Sequence, residues 1–215
     1  LEHIHKNQFI HRDLHSGNIL FDLFNDQKKI KVRCQWKIGD LGLSHSVDNK
    51  SSNNEIYGVI PYISPEIFKG SAFSKEADVY SLGMIMWELT TGCKPFSNAK
   101  HDHSLIYKIL DGERPKITED TPECYANLMK SCWDPDPKKR PSIKQAEAKR
   151  KKLIELKKIG PKFAEKYHSE AIYTSRPLSD LISKCSSTNS FSTISYGNKQ
   201  GITKNKDNYN LNNII

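Results

Sequence analysis

The pattern of apolar positions predicts a mostly helical protein. Residues 76–92, EADVYSLGMIMWELTTG, are apolar almost throughout, which predicts a helix buried on most sides that stops at Gly92. Four of its apolar residues fall at helical spacing: Leu82, Ile85, Met86 and Leu89. Amphipathic helices are predicted in HSLIYKILDG (103–112) and CYANLMKSCWD (124–134). A further helix is predicted in IKQAEAKRKKLIELKKI (143–159), which is rich in strong helix formers.

Strands are predicted only near the start of the chain. LEHIHKNQFIHRD (1–13) is typical of the end of a helix running into a turn. NILF (18–21) and KVRCQWKI (31–38) are predicted to be short strands joined by the polar loop DLFNDQKK (22–29). Residues 44–57 are polar and rich in Ser and Asn, which predicts a mobile loop.

The composition divides the chain into three parts. Residues 1–148 are expected to be globular, and residues 149–168 to form a basic helical extension. Residues 169–215 are rich in Ser, Asn and Lys without an apolar period, which predicts a disordered tail. The expected fold is therefore mainly α with a small β-hairpin region, followed by that tail.

The charge distribution argues against a nucleic-acid-binding domain. The net charge is +8, but residues 1–148 carry 20 Lys+Arg against 20 Asp+Glu, and residues 149–215 carry 13 against 5. The basicity therefore belongs to an appendage. The stretch 149–168 has eight Lys+Arg and two Glu, which favours a solvated helix face. Binding to an acidic protein, a membrane or RNA is the alternative, and aromatic residues for base stacking are few.

Cysteine usage and hydropathy indicate an intracellular protein. The five cysteines are widely spaced without a C-x-x-C, which favours buried free thiols in a reducing compartment, the cytoplasm or the nucleus. His101 and His103 have one acid beside them and are interpreted as surface residues rather than metal ligands. No apolar run approaches the roughly 20 residues that span a bilayer. The first residues lack the features of a secretory signal, so residue 1 is interpreted as a cut end or the edge of a gene model.

Short motifs with chemical content follow one another in an informative order. HRDLHSGN (11–18) comes first, then GDLGLS (39–44), in which an aspartate follows a predicted strand. YISPE (62–66) follows the polar loop, and DVYSLG (78–83) and CWDPDPKKRP (132–141) come later. Any one of these motifs could arise by chance, whereas the ordered series is typical of one family.

With these motifs, residues 1 to about 150 resemble the C-terminal lobe of eukaryotic protein kinases, the tyrosine-kinase-like group in particular. Two departures are mild: DLG stands for the usual D-F-G, and SPE for A-P-E. The resemblance implies the C-lobe portion of a kinase domain in residues 1–148. It also implies a transferase that uses ATP and Mg²⁺ to phosphorylate proteins in signal transduction.

The resemblance assigns the reactive positions. Asp13 matches the catalytic aspartate, which accepts or orients the proton of the substrate hydroxyl. Asn18 matches the ligand of the second magnesium, and Asp40 matches the aspartate that holds the magnesium bridging the β- and γ-phosphates. Oxygen ligands of this kind suit Mg²⁺. Leu20 matches the apolar floor of the adenine pocket. The plain alternatives are turn residues for Asp13 and Asn18 and a core leucine for Leu20.

Other matches are structural. His11 and Leu41 match two members of the family's internal hydrophobic stack. Asp78 matches the aspartate that ties the buried helix to the catalytic loop. Glu66 and Arg140 match a buried ion pair.

Arg12 matches the arginine that receives a phosphate from the activation loop, residues 40–66. A phosphate there would order the loop through charge-assisted hydrogen bonds. The candidate acceptors are Ser46, Ser51, Ser52 and Tyr57.

Substrate specificity leans to Ser/Thr, with Tyr left open. His15 stands where members that phosphorylate Ser or Thr usually carry Lys, and Val59 stands where they carry Thr. Tyr62 stands where tyrosine-specific members have Trp. The segment between Asn18 and Asp40 is also longer than is usual for the family, a change that surface hairpins tolerate.

The 215 residues contain no G-x-G-x-x-G motif and no N-terminal lobe, which in the family is present in cis and completes the ATP site. We therefore expect a kinase fragment that is inactive alone, with a protein substrate and ATP as partners. It should also expose apolar surface on the predicted hairpin. The alternative is a pseudokinase-like scaffold or protein-binding module, although retention of Asp13, Asn18 and Asp40 speaks against it.

Overall fold

The computed structural model describes residues 1–26, 31–47, 55–119, 121–146 and 168–188. Helices dominate these ranges, as the sequence predicts. The helices are α1 (Glu2–Lys6), α2 (Pro65–Phe68), α3 (Lys75–Thr91), α4 (His103–Leu110), α5 (Glu123–Cys132) and α6 (Ser179–Thr188). Short 3₁₀ turns lie at Ser16–Asn18, Ile60–Tyr62 and Pro137–Lys139, and residues 143–146 are also helical.

The described strands form three antiparallel pairs. The pairs are β1 (Phe9–Ile10) with β4 (His45–Ser46), β2 (Ile19–Asp26) with β3 (Lys31–Ile38), and β5 (Tyr57–Gly58) with β6 (Arg176–Pro177). The predicted hairpin is confirmed, but much of the predicted polar loop 22–29 is strand. The ladder continues from Ile19 opposite Ile38 to Asp26 opposite Lys31, because backbone hydrogen bonds make this pairing and polar residues can take part in it.

Helix α3 is the centre of the fold, and the prediction of a helix there is confirmed. Ser74 caps its first turn by accepting a hydrogen bond from Ala77 N (3.2 Å). Gly92 ends the helix with φ +69°, the left-handed conformation that favours glycine. Eleven of its residues are buried, so polar and apolar faces are not separated. Leu89, counted among the core positions, is instead exposed (63%).

Two apolar clusters form the core. The first joins α3 to α5 and to the loop between β1 and β2, with Trp87, Met84, Met129 and Leu14 among its buried members. A Cβ at Gly83 would lie 2.9 Å from Cys132 Cβ, so glycine allows the close approach of α3 and α5. The second cluster joins α2, α4 and α6. The predicted helices α4 and α5 are thus confirmed as amphipathic packing elements.

The structure corrects the prediction of a disordered tail from residue 169. Residues 168–188 contain β6 and α6, and they pack on the rest of the protein. Leu178, Leu181, Ile182 and Cys185 follow the i, i+3, i+4, i+7 spacing of a helix face, and they bury that face in the second cluster. This buried face offsets the entropy of ordering the segment. Residues 189–215 lie outside the described residues, as does the basic extension up to residue 167.

The histidine and cysteine predictions are partly wrong. His101 is buried (2%) rather than at the surface, because Ile172 and Phe96 satisfy both of its ring nitrogens. Cys93, Cys132 and Cys185 are buried free thiols as expected, whereas Cys124 is exposed. The Cys34 side chain is outside the described part. Over the described residues, no helix has the length and apolar character needed to cross a bilayer.

Candidate active site

The loop HRDLHSGN lies between β1 and β2 with its polar side chains turned inward. His11, Asp13, His15 and Asn18 are all buried, with 0%, 6%, 9% and 9% of their surface exposed. Asn18 Nδ2 donates to the backbone carbonyl of Asp13 (2.9 Å). This hydrogen bond fixes the amide so that its oxygen, Oδ1, is the atom left for another partner.

Asp78 of α3 holds the backbone of this loop. Its carboxylate accepts hydrogen bonds from the backbone N–H of His11 (2.8 Å) and of Arg12 (3.0 Å), and it lies 2.8 Å from His5 Nε2. Arg12 has φ +74°, a conformation that a residue with a side chain rarely adopts. Such strain persists only where the surroundings fix the backbone, and the Asp78 carboxylate provides that restraint.

Two histidines and a serine surround the Asp13 carboxylate. Gly17 N donates to His15 Nδ1 (3.1 Å), which leaves the proton on His15 Nε2, 3.8 Å from Asp13 Oδ2. Burial raises the pKa of Asp13, but the neighbouring His15, Ser175 and His11 side chains together lower it by more. The pKa of Asp13 is therefore lowered, and the group is a carboxylate at neutral pH.

Asp40 and Asn18 lie at the same end of the β2–β3 hairpin. Asn18 precedes β2 and Asp40 follows β3, and Gly39 N donates to Asn18 O (2.8 Å). His11 Nε2 lies 3.0 Å from Gly39 O, which ties this end of the hairpin to the loop. Asp40 is exposed, with φ +53°.

The donor set at this end of the hairpin fits a magnesium ion. The free amide oxygen of Asn18 and the exposed carboxylate of Asp40 are both hard oxygen donors. Within the described ranges, no group of three His, Cys, Asp or Glu side chains is placed to hold a metal. Two oxygen donors are nevertheless enough for a cation that takes its other ligands from phosphate and water.

The hairpin presents an apolar surface next to these donors. Leu20 is 55% exposed, Trp36 is 66% exposed, and Leu41, next to Asp40, is 54% exposed. Leu20 is therefore not a core leucine. His11 is fully buried, as expected for a member of an internal stack, whereas Leu41 is not buried. Apolar surface in this position is typical of a ligand site.

Glu66 and Arg140 form a bidentate ion pair between α2 and the turn after α5. Arg140 Nη1 lies 2.6 Å from Glu66 Oε1, and Nη2 lies 2.8 Å from Oε2. The Arg140 side chain is completely buried, and it also donates to the backbone carbonyls of Asp134 and Glu76. Burial raises the pKa of Glu66, but the hydrogen bonds and charge of Arg140 lower it by more.

Residues 1–152 match the family model described as the protein kinase domain. The chain belongs to the protein kinase family.

Curated relatives show the same kinship. A probable LIM domain-containing serine/threonine-protein kinase of Dictyostelium discoideum is 36% identical over 155 residues, 72% of this chain and 22% of that protein. A dual specificity protein kinase of the same organism is 33% identical, over 77% of this chain and 7% of that protein. A serine/threonine/tyrosine-protein kinase of Arabidopsis thaliana is 29% identical, over 86% of this chain and 45% of that protein. The chain thus spans less than half the length of these kinases.

The described part of residues 40–66, the expected activation loop, contains two of the four candidate phosphate acceptors. Ser46 lies in β4, and Tyr57 lies in β5, where the charge of the neighbouring Glu55 raises its pKa. Ser51 and Ser52 lie outside the described residues. The Arg12 guanidinium stacks on the Phe73 ring, 4.7 Å from its centroid, and burial lowers its pKa.

A polar network on the rim of the candidate site was not predicted from the sequence. Lys94 Nζ donates to Ser16 Oγ (2.9 Å) and lies 3.4 Å from Glu88 Oε1. The Tyr62 hydroxyl donates to Glu88 Oε2 (2.7 Å), and burial together with the Glu88 charge raises the pKa of Tyr62. The network joins residues that are distant in the sequence, so no local sequence motif predicts it.

Ser175 is a second residue of the candidate site that the sequence did not predict. It comes from the segment predicted to be disordered. Its side chain helps to lower the pKa of Asp13. Strand β6, which follows it, pairs with β5 of the activation segment. The apolar spacing of Leu178, Leu181, Ile182 and Cys185 was the available signal that this segment folds.

Proposed function

We propose that residues 1–148 are the C-terminal lobe of a protein kinase of the tyrosine-kinase-like group. In this proposal the lobe belongs to a kinase that transfers the γ-phosphate of ATP to Ser and Thr hydroxyls of protein substrates, and the 215 residues alone are inactive. The observation that carries the proposal is the junction of one loop and one hairpin, where a buried, ionised Asp13 lies beside two oxygen donors, Asn18 and Asp40.

Asp13 is the proposed proton acceptor. A carboxylate with a lowered pKa is ionised at neutral pH and accepts a hydrogen bond from an incoming hydroxyl. As the hydroxyl oxygen attacks, its proton passes to Asp13. His15 keeps this carboxylate ionised and oriented, and the Asp78 hydrogen bonds keep the loop backbone in place.

Asn18 and Asp40 are the proposed holders of Mg²⁺, and Leu20 is the proposed floor of the adenine site. Bound Mg²⁺ neutralises charge on the phosphates during transfer. The exposed fraction of Leu20, 55%, supports an apolar surface available to a purine ring.

The remaining assigned residues have supporting roles in this proposal. His11 belongs to the internal stack, and Glu66 and Arg140 brace the lobe. Arg12 receives a phosphate placed on Ser46, Ser51, Ser52 or Tyr57, which would order the activation segment.

The proposed specificity is Ser/Thr, with Tyr as a secondary acceptor. The printed names of the relatives include serine/threonine and dual specificity kinases. In this chain Tyr62 stands where tyrosine-specific members carry Trp, and it is fixed by Glu88.

The test is phosphate transfer from ATP and Mg²⁺ to a generic protein substrate, followed by phosphoamino-acid analysis. The 215-residue chain is compared with a form extended at its N-terminal end. We expect phosphoserine and phosphothreonine from the extended form and very little from the 215 residues, which contain no glycine-rich loop. If the extended form folds but transfers no phosphate, the enzyme interpretation is wrong, and the pseudokinase-like scaffold is favoured instead.

A further inference from the structure

The segment around Ser175 lies along the reactive loop as a bound peptide would. The Ser175 side chain interacts with Asp13, the carboxylate proposed to receive the acceptor proton, and helps to lower its pKa. The strand register gives the same placement independently. Arg176 pairs with Gly58, and a Cβ at Gly58 would lie 3.5 Å from Asp13 Oδ1. The residue next to Arg176 is therefore at the reactive carboxylate.

The backbone of this segment extends the activation segment by one strand. Pro177 lies opposite Tyr57, and Leu178 N donates to Ile56 O (2.7 Å). Strand addition is a recurrent way in which an extended peptide binds a protein, because main-chain hydrogen bonds fix its register. The position of the Ser175 hydroxyl follows from this register.

An apolar anchor fixes the segment on the side after Ser175. Leu178 is fully buried in the second apolar cluster, and α6 continues that contact. The Tyr107 hydroxyl of α4 donates to Cys185 O (2.6 Å) in α6. The side chain three positions after the serine thus occupies a pocket, as a specificity residue of a bound substrate does.

Contacts before and beside Ser175 fix its other end. The Tyr173 hydroxyl donates to Pro95 O (2.9 Å), and the Tyr173 ring packs edge-on against His101 at 4.7 Å between centroids. Ile172 N donates to His101 Nδ1 (3.0 Å), and the Arg176 guanidinium donates to His101 O. The buried His101 therefore contacts the segment on both sides of Ser175, through the Ile172 backbone before it and the Arg176 side chain after it.

We infer that Ser175 is the acceptor of an intramolecular phosphoryl transfer and that residues 173–178 occupy the groove in which a protein substrate binds. The inference rests on the proposed kinase function and adds a modification site and a built-in competitor to it. Ser175 is an exposed residue, and its neighbours on both sides are held by the kinase fold.

The chemical step balances with ATP as the phosphate donor. The Ser175 oxygen bonds to the γ-phosphorus, and the bond from that phosphorus to the β–γ bridging oxygen breaks. ADP leaves with the electron pair, and the hydroxyl proton passes to Asp13. The product carries a charge of about −1.5 to −2 at neutral pH beside an acidic group, so repulsion disfavours the docked segment after transfer.

The first test maps phosphorylation on the full-length protein that carries these residues, incubated with ATP and Mg²⁺ together with a generic protein substrate. We expect phosphate at Ser175 with a rate constant independent of protein concentration. Ser175→Ala should remove that modification. The matched control is Thr174→Ala, which removes the neighbouring exposed hydroxyl and should leave Ser175 modified.

The outcomes separate the two proposals. Substrate phosphorylation without phosphate at Ser175 would overturn the inference and leave the kinase function standing. Phosphate at Ser175 whose rate constant rises with protein concentration would overturn the intramolecular step. Phosphate on neither target would overturn the kinase function and the inference with it.

The second test measures competition with external substrate. A tethered peptide acts at an effective concentration on the order of millimolar, so loosening it should lower the apparent KM for substrate by about tenfold. Leu178→Ala removes the anchor and Arg176→Ala removes the hydrogen bond to His101, and both should lower KM. The control Leu89→Ala changes an exposed leucine of α3. An unchanged KM in both variants would show that the segment does not occupy the substrate groove.

Discussion

The state of the Asp13 carboxylate decides whether this loop can accept a proton. Asp13 is only 6% exposed, and burial alone would favour its neutral form. His15, Ser175 and His11 reverse that preference, because together they lower the pKa of the carboxyl group. The histidine that replaces the usual lysine of Ser/Thr kinases thus has a physical consequence: it tunes the proposed base.

Replacing His15 should therefore change the pH dependence of phosphate transfer. In His15→Gln the interaction by which His15 lowers the pKa of Asp13 is weakened, so that pKa rises. The acid limb of kcat/KM should move to higher pH, as measured by a pH profile of transfer. His103→Gln, at an exposed histidine that begins α4, should leave the limb in place. A shift to lower pH in His15→Gln would contradict the assignment.

Several site residues could be named from the sequence because they belong to one short motif. Asp13 and Asn18 are five positions apart on one loop, and the structure joins them by a direct hydrogen bond. Ser175 could not be named in this way, because it reaches Asp13 only through the pairing of two strands that are distant in the sequence. Local motifs give local geometry, whereas long-range pairing depends on the whole fold.

Among the elements, α2 and the turn after α5 depend on one ion pair. Glu66→Gln leaves the fully buried Arg140 guanidinium without its charged partner, which should lower the free energy of unfolding by about 3–5 kcal/mol in urea denaturation. Glu170→Gln breaks an exposed pair with Lys100 and should cost less than about 1 kcal/mol. Equal losses in the two variants would show that the Glu66–Arg140 pair does not brace these elements.

The Glu66–Arg140 pair should also make the free energy of unfolding fall at acid pH. The folded pKa of Glu66 lies below its ordinary value of 4.5. Its contribution is fully present above that ordinary value and is lost as the pH falls through the lowered folded pKa. Unfolding curves collected below pH 4.5 should show the wild type losing stability faster than Glu66→Gln. If the free energy of unfolding fell equally with pH in both proteins, the Glu66–Arg140 pair would not be the cause of the acid dependence.

Helices were predicted correctly where apolar residues extend over a long stretch of sequence. A helix was missed where its apolar residues are few. Helix α3 was predicted because its 17 residues are almost all apolar or small. Helix α6 was missed because its Ser-rich sequence has only three apolar residues, Leu181, Ile182 and Cys185, which pack in the second cluster with α4. The extent of β2 was missed because its polar residues lie in a ribbon whose pairing is set by the backbone.

Over the whole molecule, residues 168–188 should behave as part of the kinase fold rather than as a tail. Leu178→Ala removes a fully buried side chain, which should lower the free energy of unfolding by about 2–5 kcal/mol. Leu89→Ala, at an exposed leucine, should stay within about 0.5 kcal/mol of the wild type. Urea denaturation measures both. A Leu178→Ala variant as stable as Leu89→Ala would mean that the segment is not docked.

The central claim is that Asp13 makes this molecule a phosphate-transferring enzyme. The most direct measurement compares phosphate transfer by the full-length protein with transfer by its Asp13→Asn and Asp111→Asn variants, since Asp111 is an exposed aspartate at the end of α4. Asp13→Asn should lower kcat by a factor of about 10²–10⁴ without unfolding the protein, and Asp111→Asn should leave it unchanged. Equal transfer rates in all three proteins would contradict the claim.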